Sequence, residues 1–231
     1  MKTLDTVTVE TGPRPTYTII WMHGLGADGY DFEPLVPELV QDGMPTLRFV
    51  FPHAPVRPVT INNGYQMRAW YDIIGIDRRS TEDFKGIQDS AEAIGGLIHR
   101  EHARGITSER ILIAGFSQGG AMALHLATRH PDRFAGVIAL SCYLPLAREL
   151  KSRHGANQRT PIFMAHGTQD PVVPHMLGDE SRQLLESAGY AVEWHSYAMP
   201  HSLCEQEVAD LRSWLKRVCA RKESGLAARA G

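Results

Sequence analysis

Short runs rich in Val, Ile and Phe punctuate the chain at Tyr17 to Met22, Leu47 to Phe51, Ile111 to Phe116, Ala135 to Leu140, Pro161 to Ala165 and Ala191 to Tyr197. Their length and their β-branched and aromatic content predict strands. Between them, Phe32 to Val40, Gly86 to His102, Gly119 to His130, Pro174 to Glu186 and Val208 to Val218 carry apolar residues at helical spacing. Strands that alternate with helices predict right-handed βαβ units and a mostly parallel central sheet. Most of the runs are apolar on both faces, which predicts helices on both faces of that sheet. Residues 191–197 depart from the pattern. There Val192 and Trp194 alternate with Glu193 and His195, as in an edge strand with one solvated face. Thr6 to Glu10 has the composition of a further edge strand.

A chain of 231 residues is long enough to bury one sizeable core. A single α/β domain is expected over residues 1–220, followed by a flexible tail over 221–231 that is rich in Ala, Gly and charge. The segment from His53 to Ser80 is long and lacks clear periodicity, and such segments inside compact domains are often functional. Charge is nearly balanced, with 24 Lys and Arg against 26 Asp and Glu. The electrostatic footprint of a nucleic-acid binder is therefore missing, and small, roughly neutral ligands are favoured. The three cysteines, Cys142, Cys204 and Cys219, have no CxxC spacing. That argues against a disulfide framework or a zinc ribbon and fits a reducing cytoplasm. Met1 to Gly12 contains no apolar signal-peptide core, and no stretch approaches the roughly eighteen apolar residues of a membrane span.

Candidate chemistry begins at Gly115-Phe116-Ser117-Gln118-Gly119, directly after one predicted strand and directly before a predicted helix. This is the context of a nucleophile elbow, whose sharp turn exposes a serine and leaves room only for glycine two positions away on either side. The pentapeptide alone also fits a glycine-rich turn with a helix-capping serine. The order of later residues distinguishes the two readings, because such a serine is followed by an acid and then a histidine at the ends of later strands. Asp170 follows the strand at 161–165 and lies where open α/β sheets place their sites. Of the histidines beyond it, His175 falls in the first turn of a helix and His195 on the polar face of the edge strand. His201 sits in the loop just past the last strand. Oxyanion donors are expected after the first central strand, in His23-Gly24-Leu25-Gly26, and at the start of the elbow helix. The backbone amides of Leu25 and Gln118 are the candidates, the latter at the positive end of a helix dipole.

Taken in order, HGLGADG, PHAPVRPVTINNG, RAWYDI, GFSQGG, HGTQDPVVP and MPHSLC resemble the carboxylesterase and acyl-protein thioesterase family, also described as lysophospholipase-like. The resemblance spans roughly residues 15–217. It implies an α/β-hydrolase fold and a serine hydrolase without metal or cofactor, acting on small-molecule carboxylic esters or thioesters. It carries the triad onto Ser117, Asp170 and His201 and the oxyanion donors onto Leu25 and Gln118. It also places an aromatic-bearing loop beside the acyl site, which here matches Trp70 and Tyr71. Tyr71 stands where many relatives have phenylalanine. The main activity expected is cleavage of short- to medium-chain acyl esters, with acyl-protein thioesterase or lysophospholipase activity as the alternative, and a homodimer is left open. Two rival classes are a catalytically silent binding protein on the same fold and a metal hydrolase using His99 and His102. The second lacks HExxH or a clustered carboxylate.

Overall fold

A computed structural model describes residues 3–75, 81–152 and 155–227. Its centre is a seven-stranded sheet. The strands are β1 (Thr6–Glu10), β2 (Tyr17–Met22), β3 (Leu47–Pro52), β6 (Ile111–Phe116), β7 (Gly136–Leu140), β8 (Pro161–Gly167) and β9 (Ala191–Tyr197). They lie in the order β1-β3-β2-β6-β7-β8-β9. Only β1 runs antiparallel to its neighbour, pairing Thr6 with Pro52 through Glu10 with Arg48. Every other adjacent pair is parallel. Both strands expected at the edges are at the edges, which matches their partly exposed alternation.

Alternation along the central strands divides the apolar residues between two cores. On one face Ile20, Met22, Ile111, Ile113, Val137 and Met164 pack with Ile94, Leu97 and Ile98 of α2 (Phe84–Ala103) and with α3 (Gln118–Arg129). On the other, Ile19, Trp21, Leu112, Ile138 and Phe163 pack with Val36 and Leu39 of α1 (Val36–Leu39) and with Leu211, Trp214 and Leu215 of α5 (Glu205–Ala227). The helix α4 (His175–Ser187) joins β8 to β9 and contributes Leu185 to the first core. Burying a side chain of Leu or Ile size stabilises by about 1.5–3 kcal/mol, so both helix layers are held chiefly by this period-two sorting.

Three local features differ from the sequence pattern. The segment after His53 contains a two-stranded hairpin, β4 (Val56–Val59) and β5 (Tyr65–Arg68), closed by a left-handed Asn63 and by Gly64 at φ 75°. The end of that segment, residues 76–80, lies outside the described residues. The first predicted helix shrinks to α1 and a 3₁₀ turn at Glu33–Leu35, with Pro34 and Pro37 near their starts. Helix α5 runs to Ala227, into the segment expected as a tail, and residues 228–231 lie outside the described residues.

Candidate active site

Strand β6 ends at Phe116 and α3 starts at Gln118, so a single residue, Ser117, makes the turn. It does so at φ 53°, ψ −120°, which is costly for a residue with a Cβ. The surroundings enforce it. A Cβ on Gly115 would lie 2.2 Å from the Gly119 carbonyl carbon, and one on Gly119 would lie 2.2 Å from the Met22 carbonyl oxygen. The turn is closed by the Ser117 amide, which donates to the Leu140 carbonyl at 2.8 Å, and by the Ala121 amide, which donates to the Ser117 carbonyl at 3.0 Å. A trans peptide is planar, with its C=O and N–H pointing opposite ways. Tying the Ser117 carbonyl into the helix therefore turns the Gln118 N–H outward from the helix start.

Asp170 and His201 lie on two loops that are stitched together. The Thr168 amide donates to the Tyr197 carbonyl at 2.8 Å and the Gln169 amide to the Met199 carbonyl at 3.1 Å. Gly167 permits this approach, since a Cβ there would sit 2.3 Å from the Met199 carbonyl oxygen. The Asp170 carboxylate accepts from the amides of Val172 at 2.8 Å and Val173 at 2.9 Å through Oδ1. Its Oδ2 accepts from His201 Nδ1 at 2.6 Å. With Nδ1 so engaged, Nε2 is the nitrogen left for proton exchange. The His201 ring lies 4.7 Å from the ring of Phe116, the residue before the serine. His166 adds a second imidazole behind the acid, its Nε2 2.8 Å from the Val173 carbonyl and 3.4 Å from Asp170 Oδ2. Burial lowers its pKa, so the ring is neutral at neutral pH.

The loop after β2 is built around His23. The Ala54 amide donates to His23 Nε2 at 3.0 Å, so in the neutral ring Nδ1 carries the proton and donates to the Gly24 carbonyl at 2.7 Å. Burial pushes the His23 pKa down to about 4, which keeps this tautomer in place at neutral pH. The Gly24 carbonyl and the Leu25 N–H share one trans peptide, so fixing the first inward turns the second the other way. The Gly26 amide is already used, donating to the Arg68 carbonyl at 2.9 Å. The loop lies against the elbow, since a Cβ on Gly24 would be 3.4 Å from the Ser117 Cβ.

Trp70 and Tyr71 face inward. Their exposures are 0% and 3%, and both belong to the core on the α2 side. The Trp70 indole N–H donates to the His23 carbonyl at 2.9 Å, while the Tyr71 hydroxyl meets that of Tyr143 at 3.3 Å. Burial raises the pKa of both phenols. Of the other histidines, His175 pairs with Ser196 at 2.9 Å and His195 with Glu193 at 3.2 Å, both away from Asp170. No group of three or more His, Cys, Asp or Glu side chains suited to a metal ion occurs among the described residues. From sequence, the HGLG segment and Gln118 were assigned roles through their backbone amides and not their side chains, and His166 was passed over. The signal for His23 and His166 was available, because each stands beside a glycine at the C-terminal end of a strand, the position from which α/β sheets build sites.

A mostly parallel sheet, a strained serine between strand and helix, and a histidine–carboxylate pair on the loops after the later strands define the α/β-hydrolase class. Within that class the chain belongs to the phospholipase/carboxylesterase family, which it matches over residues 4–219. It is 42% identical over 212 residues to acyl-protein thioesterase 1 of Neurospora crassa, covering 87% of this chain and 86% of that protein. A 36% match to acyl-protein thioesterase 1 of Cryptococcus neoformans covers 87% and 91%. Among solved structures, SOBER1 of Arabidopsis thaliana superposes with a TM-score of 0.82 at 32% identity, over 87% of this chain and 98% of that one. Acyl-protein thioesterase 2 of Zea mays gives 0.82 at 28% identity, over 93% and 99%.

Proposed function

We propose that this chain hydrolyses carboxylic esters and thioesters through an acyl-enzyme on Ser117, with His201 as general base and Asp170 as its orienting carboxylate. The observation that carries the reading is the 2.6 Å bond between Asp170 Oδ2 and His201 Nδ1, made beside the serine elbow. His201 Nε2 takes the proton of Ser117 as Oγ bonds to the acyl carbon, and the amides of Leu25 and Gln118 receive the developing oxyanion. The bond to the leaving oxygen or sulfur then breaks, and His201 returns the proton to it. Water, deprotonated by the same ring, attacks the acyl-enzyme and releases the carboxylic acid and Ser117. Asp170 holds the Nδ1–H tautomer and stabilises the imidazolium at each transfer.

The names of the Neurospora and Cryptococcus relatives favour a thioester on an acylated protein as one substrate. Soluble short- to medium-chain esters are the simpler substrates of the same site. A panel of acyl esters, acyl thioesters and lysophospholipids, run with and without a fluorophosphonate, tests the reading. Inhibitor-sensitive turnover of esters or thioesters is expected, and turnover indifferent to the inhibitor would refute the serine mechanism. Between β7 and β8, where lipases of this fold commonly insert a cap, the described residues hold a 3₁₀ turn at Ala147–Ser152. The rate should accordingly rise smoothly with substrate through the onset of emulsion, and a jump there would show a lid.

A further inference from the structure

Behind the elbow, buried polar groups form a chain of hydrogen bonds that the proposed reaction does not use. The Gln118 carboxamide accepts from the Trp70 amide at 2.8 Å and donates to the Tyr71 carbonyl at 2.8 Å. The Trp70 indole N–H donates to the His23 carbonyl at 2.9 Å. The His23 ring, fixed by the Ala54 amide, donates to the Gly24 carbonyl at 2.7 Å. Gln118, Trp70 and His23 are 3%, 0% and 1% exposed, so water does not compete for these bonds. The chain starts on the residue whose amide is one oxyanion donor and ends on the peptide whose N–H is the other.

We propose that Trp70 and the Gln118 side chain are positioning residues that fix the distance between the two oxyanion donors, with Trp70 acting through its indole N–H and not by lending an apolar face to the acyl chain. The inference rests on the serine mechanism above. An oxyanion hole works only when both donors lie about 2.7–3.1 Å from the place the charged oxygen will occupy. The two donors here belong to separate segments, the loop after β2 and the first residue of α3, and each is held only as well as its own anchors. The Trp70 segment touches both: its backbone is gripped by the α3 side through Gln118, and its ring grips the β2 side at His23. Loosening that tie would leave ground-state binding nearly intact, because the uncharged carbonyl gains little from the donors. It would weaken the transition state, where they act on full charge.

Trp70→Phe removes the indole N–H and keeps an aromatic ring in the core. Fluorophosphonate labelling of the unmodified protein at Ser117 comes first, since failure there would sink the serine mechanism itself whatever the variant does. With labelling in hand, Trp70→Phe should lower kcat roughly 10- to 100-fold, the range of a damaged oxyanion donor or somewhat less, and leave KM within about two-fold. A trifluoromethyl ketone, which closes onto Ser117 as a tetrahedral oxyanion, should lose affinity by the same factor. The loss should be equal for acetyl and octanoyl substrates. Gln118→Met, which removes both carboxamide bonds at similar volume, should show the same signature and decides the matter if Trp70→Phe does not fold. Unchanged kcat and ketone affinity in a folded variant would overturn the proposal. So would a loss confined to longer acyl chains, which would return Trp70 to the wall of an acyl pocket.

Discussion

A serine held at φ 53° between a strand and a helix is strained by its own Cβ, and the contacts of Gly115 and Gly119 leave the chain no relaxed alternative. Alanine carries the same Cβ, so Ser117→Ala is expected to fold as the parent does. It should lose fluorophosphonate labelling and about 10⁶-fold in turnover. Labelling that survived the substitution would move the nucleophile elsewhere. The base can be separated from its neighbours in the same way. His201→Ala should be nearly inactive, whereas His175→Ala and His195→Ala should keep activity, because their rings bond to Ser196 and Glu193 and not to Asp170. Full activity in His201→Ala, with loss in either of the others, would transfer the role. Behind the acid, the His166 Nε2 that bonds to the Val173 carbonyl also lies 3.4 Å from Asp170 Oδ2, so the carboxylate is bonded by two backbone amides and His201 with a second imidazole close behind it.

At the scale of elements, the glycines divide into those that backbone contact requires and those it does not. A Cβ on Gly119 would meet the carbonyl oxygens of Met22 and His23 at 2.2 Å and 2.7 Å, atoms of a central strand end that has no freedom to move. Gly119→Ala should therefore lower Tm markedly and abolish turnover. Gly95, inside α2, has nothing within 4 Å of the place a Cβ would take, and Gly95→Ala should stabilise by roughly 0.5–1 kcal/mol through helix propensity. Differential scanning calorimetry of the two variants checks both signs, and a tolerated Gly119→Ala would mean the elbow is looser than these contacts indicate. The same contrast explains what could be read from the sequence. Strands β2, β6, β7 and β8 are apolar on both faces and β9 alternates, so the parallel sheet, its edges and its helix layers followed from pattern, whereas the strand order did not. The hairpin β4–β5 was illegible because Val56-Arg57-Pro58-Val59 is short, exposed and carries a proline. Ser117, Asp170 and His201 could be picked out as candidates because each follows a strand end. The side-chain bonds of Gln118, Trp70 and His23 could not, because they depend on which faces meet in three dimensions, and no spacing along the chain encodes that.

On the scale of the whole molecule, the ionisable groups enclosed by the two cores set how stability varies with pH. Burial pushes His23 down to about 4 and His125 to about 3. Each ring stays neutral in the folded chain while its unfolded counterpart takes up a proton near pH 6.5. Their contribution is complete above that pH and is lost as pH falls toward the folded values. His130 and His166 are lowered by burial as well and add to the same limb. Glu207, in the first turn of α5, has the opposite sign. Burial raises it to about 8, the Cys204 backbone amide offsetting only part of the shift. The folded chain thus holds a proton that the unfolded chain releases near pH 4.5, and that contribution fades as pH rises toward 8. Each unmatched proton changes stability by about 1.4 kcal/mol per pH unit. Between roughly pH 4.5 and 6.5 the histidines outnumber Glu207, so stability climbs with pH. Above 6.5 Glu207 acts alone among these groups and stability declines until about pH 8. A Tm series across that range should therefore peak near pH 6.5, and Glu207→Gln should flatten the alkaline limb and steepen the climb between pH 4.5 and 6.5, because the opposing proton is removed from both. A Tm that rose steadily from pH 6.5 to 8 in the parent chain would show that Glu207 is already ionised in the fold.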